Sequence, residues 1–138
     1  MSYLVDTNVV SEWRKGARAD AGVVSWFAEV RDEEIHLSVL TVGEPRLGIN
    51  RIQRRDGDAA RVLDRWLRGL VEGFSARLLP IDRAVAEEWG RMNAAHPLPV
   101  IDTLLAATAK IHGLAVVTRN TKDIARTGVH CLNPFRDR

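Results

Sequence analysis

The sequence predicts an α/β sandwich around a central, mostly parallel sheet. Short apolar runs that read as buried strands recur along it, at 3–5, 35–38, 77–80, 114–118 and 129–132. Between them lie segments with apolar residues at helical spacing, so strands and helices alternate as they do in parallel sheets. A length of 138 residues, 46% hydrophobic and 28% charged, fits one domain over 1–138 with an ordinary core.

Each element follows from local chemistry. Tyr3-Leu4-Val5 is a short buried strand. A helix is expected over 8–15, stopped at Gly16, and Asp20 caps a second through Val24, Trp26, Phe27 and Val30. After the strand at 35–38, Thr41 is placed to cap a third helix. Glu44 sits three residues on, at capping-box spacing, and Pro45 falls in the first turn. That helix runs out near Asp56-Gly57-Asp58. A longer one follows, with Val62, Leu63, Trp66, Leu67 and Leu70 on one face, ending near Gly73. Asp82 caps a helix through Val85, Trp89 and Met92. The helix over 101–112 stops at Gly113, and a short helical turn spans 121–125 before the last strand.

The acids fall at telling places on this scheme. Asp6 closes the first strand, and Asp123 lies just past the strand at 114–118. Asp102 and Glu44 each lie in the first turn of a helix. In parallel sheets, sites form at the C-terminal ends of strands. Singly, each acid also reads as a cap, a helix-start charge or an exposed loop acid. Brought together, two carboxylates at contact distance repel by several kcal/mol, roughly 4 at an effective dielectric of 20. A helix N-terminus returns only about 0.3–1 kcal/mol. Oxygen-only donors point to Mg²⁺ or Mn²⁺ as the compensating ion rather than to zinc.

Other readings are narrowed by what the chain lacks. No apolar run approaches the ~20 residues that span a bilayer, and Asp6 comes too early for a signal peptide, so a cytoplasmic protein is expected. The lone Cys131 permits no internal disulfide and reads as a small core residue. His36, His96, His112 and His130 show no zinc spacing. There is no Gly-x-Ser-x-Gly and no glycine-rich phosphate loop. The net charge is only +2, but Arg46, Arg51, Arg54 and Arg55 cluster, with Arg61, Arg65 and Arg68 following at helical spacing. That row is either a solvated face with local pairs to Asp58 and Asp64 or a surface that tracks phosphates.

Four stretches, in this order, carry a family likeness. They are Leu4-Val5-Asp6-Thr7-Asn8, Leu40-Thr41-Val42-Gly43-Glu44, Pro99-Val100-Ile101-Asp102 and Thr118-Arg119-Asn120-Thr121-Lys122-Asp123. The chain resembles the PIN-domain ribonucleases, and among them the VapC/FitB toxins of type II toxin–antitoxin systems. The resemblance implies a PIN-like α/β/α sandwich and a metal-dependent endoribonuclease. Asp6, Glu44, Asp102 and Asp123 would hold Mg²⁺, with Mn²⁺ able to substitute. Thr118 would assist, Asn8 and Asn120 would stand beside the site, and Arg119 and Arg46 would hold phosphates. It also implies an RNA substrate, a homodimer or larger assembly, no membrane, and a VapB/FitA-like antitoxin docked in a groove. Trp13, Trp26 and Phe27 are candidates to line that groove. Pro45 and Gly43 depart from the family pattern beside Glu44. Two rivals remain at this point: a phosphatase using Asp6, which would want an acid where Asn8 stands, and a catalytically degenerate, partner-binding PIN module.

Overall fold

A computed structural model describes residues 1–95 and 97–136; the reading of His96 lies outside the described residues. The order is β1 (Tyr3–Val5), α1 (Thr7–Trp13), α2 (Ala21–Glu29), β2 (Ile35–Ser38), α3 (Leu40–Ile52), α4 (Gly57–Gly73), β3 (Leu78–Leu79), α5 (Arg83–Ala95), α6 (Val100–His112), β4 (Ala115–Val117), α7 (Thr121–Ala125) and β5 (Cys131–Leu132). The five strands form one sheet in the order β3-β2-β1-β4-β5, and every pairing is parallel. The expected sandwich is therefore present, with β1 at its centre.

Strand periodicity divides the core. Along β1, Leu4 joins one hydrophobic cluster and Val5 the other; along β4, Val116 and Val117 divide the same way. The cluster containing Val5 and Val117 takes Val9, Val10, Val23, Ile49 and Leu67 from α1 to α4. The cluster containing Leu4 and Val116 takes Leu105, Ala106 and Ala109 from α6 and Ile124 from α7. Both strand faces are covered, which is why these strands read as unbroken apolar runs. No helix among the described residues is long and apolar enough to cross a membrane.

Most caps sit where expected. Asp20 Oδ1 accepts from the N–H groups of Gly22 and Val23 at 2.8 and 3.2 Å, and Gly113 ends α6 at φ +67°. The start of α3 is a correction. The helix begins at Leu40, whose N–H donates to Ser38 Oγ at 3.0 Å, and Thr41 is buried inside the first turn rather than capping it. Glu44 therefore lies in the second turn and forms no capping box. Pro45 is internal and has no N–H to offer to the Thr41 carbonyl. The local capping signal lost because β2 feeds the helix directly, and a buried Ser38 served the first free N–H.

α5 and α6 pack side by side and carry an almost buried charge. Glu88 Oε2 accepts from Lys110 Nζ at 3.0 Å and Oε1 from Arg91 Nη2 at 3.3 Å. The Lys110 hydrogen bond leads in holding this carboxyl below its ordinary range. The depressed value means that the pair stabilises the fold above the unfolded glutamate pKa and loses that contribution as pH falls through the folded one. Glu88→Gln is expected to lower Tm at pH 7, with the deficit shrinking below about pH 4. An unchanged Tm at pH 7 would make the pair energetically idle.

Candidate functional site

The sheet order reverses between β1 and β4, since the chain moves outward from β1 through β2 to β3 and returns to the other side. The C-terminal ends of these two strands are therefore the place where a ligand crevice opens. Asp6 and Thr118 stand there as the residues after each strand, and the Asp6 N–H donates to Val117 O at 2.9 Å.

Asp6 is only 6% exposed. Its Oδ1 accepts from the Thr7 N–H at 2.7 Å. Its Oδ2 accepts from Thr118 Oγ1 at 2.8 Å and from Asn8 Nδ2 at 3.3 Å. It is thus both the cap of α1 and a member of the acid group. Burial pushes its carboxyl above the ordinary range. The Thr118 and Thr7 hydrogen bonds oppose that, and the charges of Asp102 and Glu44 add to it.

Glu44 joins from α3, where Oε1 accepts from Thr7 Oγ1 at 2.6 Å. Asp102 lies in the first turn of α6. That turn is braced by Thr103, whose hydroxyl donates to Pro99 O at 3.0 Å and accepts from Trp89 Nε1 of α5 at 3.1 Å. Asp102 is also raised, by burial first and then by the charges of Asp123 and Glu44. Asn120 ties the far side together: its Nδ2 donates to Asp102 Oδ2 at 2.8 Å and to Asp123 Oδ2 at 3.2 Å, and its N–H to Thr118 Oγ1 at 3.0 Å. One hydrogen-bonded net therefore links Asp6, Thr118, Asn120, Asp102 and Asp123. Thr7 and Glu44 join it through the Thr7 N–H, which donates to Asp6 Oδ1, and the Thr7 hydroxyl, which donates to Glu44 Oε1.

The donors are hard oxygens, in keeping with a divalent cation. The burial of Asp6 and the mutual repulsion of Asp6, Glu44, Asp102 and Asp123 favour positive charge beside them. Among the described residues no three of the acids form a ready-made metal cage.

The arginines divide. The Arg119 N–H donates to Asn8 Oδ1 at 3.3 Å, and its guanidinium lies over the Phe135 ring at 4.4 Å, so Arg119 borders the acids. Arg46 is turned to Asp64, 2.7 Å away, and lines a separate polar hollow with Asn50, Gln53, Arg61 and Arg68. Cys131 is half-buried, with Sγ donating to Thr121 O at 3.7 Å, and burial raises its thiol pKa.

Beside Glu44 opens an apolar hollow of about 330 Å³, between α1, α3 and α4. It is lined by Pro45, Ile49, Ile52, Leu63 and Trp66, with Thr7, Ser11 and Arg14 along the α1 side. Trp13, Trp26 and Phe27 do not line it. Trp13 stacks on Phe27 at 4.1 Å, and Trp26 meets Tyr3 edge-on at 5.2 Å. Trp66 and Leu63 were legible only as an apolar stripe of α4. Which part of the stripe stays open depends on how α3 crosses it.

Comparison with known proteins agrees with this geometry. A family model described as the PIN domain matches residues 3–129. The chain is 33% identical to Toxin FitB of Neisseria gonorrhoeae over 97% of its own length and 99% of that protein. It is 30% identical to VapC ribonuclease Y4jK of Sinorhizobium fredii, over 96% of each. The crystal structure of FitAcB from Neisseria gonorrhoeae superposes with a TM-score of 0.85 at 33% identity, covering 96% of this chain and 97% of that one. A parallel five-stranded sheet, acids gathered where its order reverses, and a family match along nearly the whole length lead to one assignment: this chain belongs to the PIN-domain family.

Proposed function

We propose that the chain, acting as one domain, is a Mg²⁺-dependent endoribonuclease and the toxin of a toxin–antitoxin pair. The observation that carries this reading is the acid net at the β1–β4 switch point, in which Asp6 and Asp102 are both pushed toward protonation by burial and by neighbouring carboxylates. Asp6 and Asp102 would be the inner ligands of the ion, and Glu44 and Asp123 would hold a second ion or orient water. Mn²⁺ would substitute. When bound, such an ion supplies an acidified water and positive charge at the phosphate.

The chain's own residues do the rest. Thr118 and the Thr7 N–H fix both oxygens of Asp6. Asn120 keeps Asp102 and Asp123 facing the same space. Asn8 and Asn120 position through their amides, and Arg119, whose guanidinium lies over the Phe135 ring, would hold a phosphate oxygen. In the hydrolysis, a water oxygen forms a bond to phosphorus as a carboxylate takes the water proton, the bond to the leaving ribose oxygen breaks, and that oxygen takes a proton from solvent water to leave as a hydroxyl. The phosphatase reading loses support, because the position two residues after Asp6 is Asn8, which donates to Asp6 Oδ2.

The relatives support the same reading, one being called a toxin and another a ribonuclease. A similar structure, at 32% identity and TM-score 0.85, is of FitAB bound to a DNA fragment. We expect an antitoxin segment to occupy the apolar hollow beside Glu44, next to the acids it would silence.

The test is a cleavage assay on labelled single-stranded RNA. Purified chain is expected to leave RNA intact in EDTA and to cut it when Mg²⁺ or Mn²⁺ is restored. RNA that stays whole with every divalent ion would favour a degenerate, partner-binding module instead.

A further inference from the structure

The α3–α4 hairpin treats its arginines unequally. Arg46 and Arg68 share Asp64, and Arg61 pairs with Asp58. Arg51, Arg54 and Arg55 are exposed and have no ion partner among the described residues. They sit together at the end of α3 and in the turn that follows it, where the Arg55 N–H donates to Ile52 O at 3.0 Å.

Their position relative to the acids matters more than their number. Glu44 and Gly48 both line the hollow from the middle of this helix, and Arg51 continues their line at helical spacing. Seven residues separate Glu44 from Arg51, two turns or about 10 Å, and a stacked strand carries one phosphate per ~3.4 Å of rise. A strand whose scissile phosphate sits at the acids and which runs along α3 therefore brings phosphates about three nucleotides away to Arg51. Arg54 and Arg55 extend the row beyond it. Guanidinium groups held at an exposed helix end suit a flexible polyanion, since each pairs bidentately with phosphate oxygens and needs no fixed base sequence.

We infer that Arg51, Arg54 and Arg55 form an outlying phosphate-binding track for the RNA strand, continuous along α3 with the acid site. This rests on the RNA-cleaving reading and adds a surface to it. The track sets affinity and the length of strand gripped; the acids set chemistry.

Binding and cleavage are measured separately. A dye-labelled RNA of about 12 nucleotides, within the range one such groove covers, is titrated with the chain in EDTA at several salt concentrations. Arg51→Gln, Arg54→Gln and Arg55→Gln together are expected to weaken binding at least tenfold. They should also flatten the slope of log affinity against log salt by about 2, some 0.7 per lost phosphate contact. Arg83→Gln on α5, which packs against α6 while α3 packs against α4, should leave the slope unchanged. An unaltered slope in the triple variant while the wild type cuts RNA with Mn²⁺ overturns the track and leaves the nuclease standing. A flattened slope with a wild type that never cuts sinks the nuclease and keeps the track. Loss of affinity for an acidic antitoxin peptide with RNA binding intact makes the row a protein contact and overturns the proposal.

Discussion

Replacing Asp6 by Asn is expected to cut RNA cleavage at least about 10³-fold, roughly 4 kcal/mol of transition-state stabilisation. The loss should come with no loss of fold. Asn keeps an oxygen for the Thr7 N–H, so the cap of α1 survives. It also removes a carboxylate that burial and the charges of Asp102 and Glu44 drive above its ordinary pKa. An acid raised in this way makes the fold progressively less stable as pH rises from the unfolded value of 3.8 through its folded pKa, and the penalty vanishes below 3.8. Asp6→Asn should therefore melt at or above the wild-type temperature at pH 7, with the difference closing on acidification. Asp102→Asn should behave alike, since its carboxyl is raised by burial and by Asp123 and Glu44. Melting curves beside a cleavage assay decide it. Near-wild-type cleavage by either variant would remove that acid from the chemistry, and a Tm drop at pH 7 would show that its carboxylate does not destabilise the fold.

The second large effect is on stability, and it concerns a residue outside every expected element. Phe135 is 1% exposed and belongs to the cluster of Val5, Val117 and Leu67. Phe135→Ala should cost about 3–5 kcal/mol and lower Tm by about 10 °C or more. It also removes the ring beneath Arg119, so RNA cleavage should fall further than unfolding at the assay temperature explains. The segment is clamped from the other side as well. The Arg136 N–H donates to Asp20 Oδ1 at 3.0 Å, and Pro134 O occupies the space that a Cβ on Gly22 would need. Gly22→Ala should therefore loosen the same segment and destabilise by about 1–3 kcal/mol. A change below 1 kcal/mol for Phe135→Ala in chemical denaturation would mean that the last residues merely lie on the surface.

Much of the sheet was legible because parallel strands are buried on both faces. Tyr3–Val5 and Ile35–Ser38 are observed at the expected bounds, whereas the run at 114–118 is trimmed to Ala115–Val117. Leu114 and Thr118 are still buried, but as flanking residues. Asp20 and Gly113 were readable as caps because capping is chemistry within a few residues. The Thr41–Glu44 capping box failed for the complementary reason. The same residue types were claimed by partners 34 and 37 positions away in sequence, Thr7 Oγ1 reaching Thr41 at 3.2 Å and Glu44 at 2.6 Å. Phe135 was invisible because neither periodicity nor turn chemistry marks an isolated ring in a terminal segment.

The sequence by itself determined the alternation of strands and helices, the oxygen-only character of the acids, and the placement of Asp6 and Asp123 after strands and Asp102 at a helix start. These are consequences of periodicity and local hydrogen bonding, which act over a few residues. The tertiary structure decided how Thr7, Thr118 and Asn120 bind those acids into one net. It also decided that Arg119 rests on Phe135 while Arg46 turns to Asp64, and that Trp66 rather than Trp13 faces the hollow. Those choices depend on strand order and helix crossing, which bring together groups from 16 to 112 positions apart and which no local pattern encodes.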